Sequence, residues 1–361
     1  MKRFRFGHFA PLALAAALAL PCFASAAVIT VIDTVKSDGY TFTNFDGPSP
    51  NSGGTTINGI SNTGQIVGFA TAANGVFTNF TASPLTSTTA NILNINNETQ
   101  AIANGINSAA TVVGADQSGS AFILPNAGTV STFIPPGGLS AQAFGINDAG
   151  TIVGQYSTAA TQLGFIRTGP SSYITVNAPS GAAADDVNAQ GINASGLVVG
   201  FYLGNDGQDH GLLANESSAI GGSVTATAVP EPTIPSSPGE PGATFVFSQL
   251  FGVNDSGTAV GYFGDSTTSQ HGFLYDTSTG DYTFLDDPDA GFFNGVEETE
   301  ITGINNSGQI TGFYTDADGN FHGFIATPVP EPTSLAILAI AAGLMLLPRR
   351  RNSGLSAPRA S

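Results

Sequence analysis

The chain has 361 residues, 41% of them hydrophobic, with 46 Gly, no Trp and a single Cys. That is ample material for a large core, but it excludes a disulfide framework and a Cys-ligated metal. All 26 acidic residues lie between residues 27 and 332, opposed there only by Lys36 and Arg167; the resulting net charge of −24 repels phosphate backbones and excludes nucleic-acid binding.

Residues 1–26 carry the parts of a secretory signal peptide. Lys2, Arg3 and Arg5 form a positive start, residues 11–21 are apolar, and Ala24 and Ala26 place small side chains at the −3 and −1 positions of a cleavage site before Ala27. The apolar run is too short to span a bilayer core of ~30 Å at ~1.5 Å per residue. The lone Cys22 departs with the signal, and Pro21 in front of it argues against lipidation.

The body from 27 to 327 is repetitive. GISNTGQIVG at Gly59 returns as GINSAATVVG at Gly105, GINDAGTIVG at Gly145, GINASGLVVG at Gly191, GVNDSGTAVG at Gly252 and GINNSGQITG at Gly303. The copies are 46, 40, 46, 61 and 51 residues apart, the period of a repeat architecture. Within the element an Asn or Asp bonds local backbone, a Gly supplies positive φ in every copy but the one at Gly105, and a β-branched strand follows and ends in a second Gly that admits a close neighbour. The unit reads as a β-hairpin. About ten residues later comes a second type of strand: HGLL at His210, HGFL at His271, HGFI at His322, LGFI at Leu163, SAFI at Ser120 and a weak copy near Phe77. A third type ends in proline, which stops ladder pairing: Tyr40, Ser131, Tyr173, Thr225 and Tyr282 open its copies, with a poorer one at residues 91–95.

The order of these strands predicts the architecture. A third-type strand at residues 40–45 precedes every hairpin, and none follows the last second-type strand at 322–325. A ring closed by the N-terminal strand explains both ends, whereas an open solenoid would need caps. The expectation is an all-β repeat protein, a six-bladed β-propeller, or a seven-bladed one if residues 28–32 add a further strand. The repeat resembles the HAF-type extracellular repeat of bacterial exported proteins, over residues 40–325.

The end of the chain reads TPVPEPTSLAILAIAAGLMLLPRRRNSG. It resembles the PEP-CTERM sorting signal, with Val329, Pro330, Glu331 and Pro332 as the motif, an apolar segment at 335–347, and Arg349, Arg350 and Arg351 as the basic stop. Residues 328–351 would form the sorting signal with a short transmembrane helix, and 352–361 a cytoplasmic tail under the positive-inside rule. Thirteen residues make only ~20 Å of helix, a weak anchor that suits temporary retention. The resemblance implies recognition by an exosortase-type membrane protease in a Gram-negative bacterium, then delivery from the inner membrane to the outer surface or extracellular matrix. A second Val-Pro-Glu-Pro at 229–232 has no apolar segment behind it and reads as a strand terminus.

Candidate chemistry is sparse. His210, His271 and His322 share one repeated position, which points to a structural need. Asp316, Asp318 and Asn320 alternate around Gly319 as part of a calcium loop would, without its terminal Glu, so calcium ligation and an ordinary hairpin turn both fit. Asn205–Asp209 is similar. The acids from Asp281 to Glu300 read as a solvated face, with paired carboxylates for glycoside hydrolysis as the alternative. Two functions follow: a non-enzymatic surface or biofilm-matrix protein that binds exopolysaccharide through its repeats, or a propeller hydrolase acting on extracellular glycans. Unique acids in a central pocket would favour the second.

Overall fold

The computed structural model describes residues 27–48, 52–180, 182, 186–234 and 242–329. The signal, with Ala24 and Ala26, lies outside these residues. So do Pro330, Glu331, Pro332, the apolar segment 335–347 and Arg349 to Arg351. Among the described residues no helix is long and apolar enough to cross a membrane, and the one helical piece is a 3-10 turn at Glu216–Ser218.

Six antiparallel sheets stand around one axis as the blades of a propeller. From the axis outward, blade 1 takes Ser52–Ile60, Ile66–Ala72, Phe77–Ala82 and Thr89–Ile92, and blade 2 takes Ile102–Ile106, Val112–Ala115, Ala121–Leu124 and Ser131–Phe133. Blade 3 takes Ser140–Ile146, Ile152–Ser157, Gln162–Gly169 and Ser172–Asn177. Blade 4 takes Val187–Ile192, Leu197–Leu203, Asp209–Asn215 and Thr227–Ala228. Blade 5 takes Phe245–Val253, Thr258–Asp265, Gln270–Asp276 and Tyr282–Phe284; blade 6 takes Thr299–Ile304, Ile310–Thr315 and Phe321–Pro328.

Blade 6 is completed by Tyr40–Asp46, which pairs antiparallel with Phe321–Pro328 in the register Gly323↔Phe45 to Pro328↔Tyr40. The ring closes by the strand that the sequence leaves unmatched. Residues 28–32 do not found a seventh blade. Ala27–Val28 pairs onto the outer strand of blade 1, and Thr30–Ser37 forms the outermost strand of blade 6. The N-terminal segment therefore straddles the seam. A similar stitch joins blades 3 and 4, where Ser223–Thr225 leaves blade 4 to pair in parallel with Ser172–Asn177.

The core lies between neighbouring blades. Phe42, Phe45, Phe80, Phe122, Phe165, Phe273 and Phe324 are fully buried there with β-branched residues. The glycine that ends each hairpin allows this packing: a Cβ on Gly114, Gly154 or Gly312 would fall within 2.9 Å of the buried phenyl ring of the next strand and collide with the carbonyl of the strand before. The repeat keeps Gly because the space is already taken.

Candidate functional site

Each inner strand carries a β-bulge at the same place, one residue before the first Gly of the repeat. The extra residues are Asn58, Asn104, Phe144, Gln190, Phe251 and Thr302. A bulge re-aims a side chain. The residue before each bulge is a buried Ile, Ala or Leu that holds the core, and the Gly after it meets the equivalent Gly of the next blade, so six inner strands converge on the axis. The bulged side chains line an axial cavity of about 200 Å³. Ile60, Ile106, Ile146, Ile192, Val253 and Ile304 form its floor and divide it from a second hollow of about 70 Å³.

The cavity lining contains no Asp, Glu, Lys, Arg or His. Asn58 donates to the Ala103 carbonyl at 2.9 Å, Asn104 to the Ala143 carbonyl at 2.9 Å and Thr302 to the Ile57 carbonyl at 2.6 Å, so three walls are braced by their neighbours. Phe144 and Phe251 stand on either side of Gln190 in blade order. Phe251 stacks on Tyr262 at 5.4 Å between centroids, and the Tyr262 hydroxyl donates to Gln249 Oε1 at 2.8 Å. Gln249 in turn donates to Asp209 at 2.8 Å. The Phe251 ring is thus held in place from behind.

Below the floor runs a ring of asparagines. The side-chain amide of Asn107 donates to the backbone carbonyl of Asn147, Asn147 to Asn193, Asn193 to Asn254, Asn254 to Asn305 and Asn305 to Ser61, at 3.0–3.4 Å. Each Oδ1 of the first four accepts two backbone N–H groups of its own turn. The Asn that five of the six copies place here therefore shapes its hairpin and ties it to the next blade at once. Asp148 joins a second tier: burial works to raise its pKa, but donors from Ser108 and Asn62 outweigh that and hold it below the usual carboxylate range.

The repeated histidines each sit between two carboxylates. His322 Nδ1 lies 2.8 Å from Asp46 of the closing strand, and its Nε2 lies 3.1 Å from Asp316 of the preceding turn. His271 takes Asp286 at 2.8 Å, and His210 takes Asp206 at 3.0 Å and Glu231 at 3.3 Å. These clamps join the third strand of a blade to a turn and to the end of the fourth. Glu231 belongs to the internal Val-Pro-Glu-Pro, where Val229 is buried and its N–H donates to the Gly211 carbonyl, so that motif is a strand terminus. Val329 continues blade 6, its N–H donating to the Gly39 carbonyl at 2.7 Å.

At the turn 316–320, Asp316 Oδ1 accepts the N–H groups of Asp318 and Asn320 at 2.9 and 2.8 Å, while Oδ2 meets Asn320 Nδ2 and His322. Burial would raise Asp316, but these donors outweigh it and hold it at about 2. Both oxygens serve the turn itself. The acids from Asp281 to Glu300 do not form one solvated face. Asp281 is exposed, whereas Asp287 is buried. Burial, with Glu298 beside it, pushes Glu300 well above the usual carboxylate range on the inner strand of blade 6, two residues before Thr302. The axial cavity was missed in the sequence. Its signal was there: one position of an otherwise regular repeat that holds Asn, Asn, Phe, Gln, Phe and Thr.

No family model matches the chain, and no curated protein matches it. Solved structures are similar in shape. A gluconolactonase from Xanthomonas campestris has 12% identity and a TM-score of 0.48, covering 85% of this chain and 99% of its own. A lectin from Burkholderia pseudomallei has 14% identity and a TM-score of 0.42, covering 86% and 98%. The six-bladed lectin of Aleuria aurantia has 11% identity and a TM-score of 0.40, covering 79% and 99%.

Proposed function

We propose that the protein is a non-catalytic binding module of the cell surface or extracellular matrix, and that its axial cavity takes one uncharged sugar unit of an exopolysaccharide. The observation that carries this reading is the cavity wall. Six equivalent bulges bring amides, a hydroxyl and two phenyl rings to a single space of about 200 Å³ without a charged group. Amides can donate to and accept from sugar hydroxyls, and phenyl rings cover the apolar C–H face of a pyranose. The volume falls below the ~300–1,000 Å³ of ordinary small-molecule sites, which suits a terminal or branch sugar rather than a long segment. Export through residues 1–26 and processing at Val329–Pro332 by an exosortase-type protease would place the body where such polymers are. A panel of neutral and acidic polysaccharides, passed over immobilised full-length chain, tests the reading. Retention of neutral glycans without degradation is expected; retention of none, or of acidic polymers only, contradicts it.

Glu300 supports a second reading. A carboxyl group whose pKa is raised by burial, on an inner strand that lines the cavity at Thr302, has the character of a general acid, and with Glu298 it would make the pair that glycan hydrolysis needs. Release of reducing ends by the parent chain, abolished in Glu300→Gln, would favour a hydrolase.

A further inference from the structure

A cluster of oxygens at the ring seam remains unexplained by the axial site. Asp33 lies on the outermost strand of blade 6, Asn44 beside it on the closing strand, and Asp287 and Asp289 on the connector from blade 5 to blade 6. A β-bulge between Val31 and Asp33 brings Asp33 opposite Asn44. Asn44 Nδ2 donates to Asp287 Oδ1 at 3.3 Å and to Asp289 Oδ2 at 2.7 Å, and it also faces Asp33. One amide with two protons thus serves three carboxylates. Asn44 is 0% exposed and Asp287 1% exposed. Asp33 Oδ1, Asn44 Oδ1 and Asp287 Oδ2 are buried with no hydrogen-bond partner. An unpaired buried polar atom is costly, and three together at one seam call for a shared partner.

We propose that the unpaired oxygens of Asp33, Asn44 and Asp287 form a site for a hard divalent cation, calcium, that clasps the N-terminal strands to the connector between blades 5 and 6. All three donors are oxygen, the preference of calcium over zinc or copper. Counted by His, Cys, Asp and Glu alone, no group of three among the described residues is placed to hold a metal; here two carboxylates and one amide supply the donors. Water completes the shell of about six to eight ligands. Asp289, bonded to Asn44, contributes charge next to the ion. Three carboxylates gathered around one amide leave the site short of positive charge. The cation supplies that charge and favours the closed ring, because its ligands come from both sides of the seam.

The test is calcium titration of the full-length chain after chelation, followed by calorimetry and thermal melting. One ion per chain is expected, with affinity on the order of 0.1–1 mM as in extracellular modules, and a melting temperature that rises by several degrees. Asp287→Asn should lose both the heat and the rise. It should also melt no lower than the parent in metal-free buffer, because it removes an uncompensated charge. Asp318→Asn, in the turn at 316–320, should bind calcium as the parent does. No heat and no shift at about 5 mM calcium overturns the proposal. So does an undiminished shift in Asp287→Asn, or loss of the shift in Asp318→Asn.

Discussion

Ala110 shows what one side chain costs in this repeat. The corresponding turn positions hold Gly64, Gly150, Gly196, Gly257 and Gly308, all with φ between 74° and 85°, whereas Ala110 adopts φ 55° with a Cβ. A left-handed conformation costs an L-residue about 1–2 kcal/mol, so Ala110→Gly should stabilise the protein by about 1 kcal/mol, read from the midpoint of chemical denaturation. An unchanged or lower midpoint would mean that the turn has relaxed. Ser61 is the other irregular residue. Its hydroxyl bonds to Thr63 Oγ1 at 2.8 Å, where five other blades place an Asn that reaches the next blade. Ser61→Asn should add the sixth bond of the ring and stabilise by about 0.5–1.5 kcal/mol. Asn193→Ala should cost about 1–3 kcal/mol, since it orphans turn donors and a carbonyl together. The positive φ and the turn-forming role of Asn were legible in the sequence, because both are local. The outward half of the Asn hydrogen bonding was not, since its acceptor lies 40 or more residues away.

At the scale of elements, the His322 clamp makes the third strand of blade 6 responsive to pH. Hydrogen bonding to Asp46 chiefly raises His322, with Asp316 adding to it against the opposing effect of burial. A histidine raised in the folded state contributes stability fully below its unfolded pKa of about 6.5, and that contribution is lost as pH rises through the folded value. Glu300 works in the same direction: its folded pKa is raised, so its contribution is largest at low pH and fades on the way up. In metal-free buffer the melting temperature should therefore fall by a few degrees between about pH 6 and pH 8. His322→Gln should flatten part of that slope. A melting temperature that rises with pH over this window would refute the assignment. The sequence pointed to a structural role for these histidines from their repetition. It could not show the partners, because Asp46 reaches His322 only through ring closure, 276 residues along the chain.

The molecule as a whole depends on a seam. The unmatched strands at the two ends of the repeat announced closure in the sequence, since an element count needs no knowledge of side-chain contacts. The stitching by residues 27–37 was not legible: those residues lack the repeat pattern and divide between two blades. If the seam is closed in solution, Phe45→Ala should cost about 3–5 kcal/mol, as much as Phe324→Ala within the same blade. A negligible loss for Phe45→Ala, beside a full loss for Phe324→Ala, would mean an open ring.

The axial cavity belongs to this largest scale too, because no single blade contains it and the repeat hides it. Its position also gives it a number. A site on the axis occurs once per chain, whereas a site built from the repeated blades would occur up to six times. The most direct measurement is calorimetric titration of the full-length chain with a short neutral oligosaccharide from the polymer it retains, beside Phe251→Ala. One site per chain is expected, with affinity at least tenfold weaker in the variant, a loss of about 1.4 kcal/mol. Several equivalent sites, or a Phe251→Ala chain that binds as the parent does, would contradict the account.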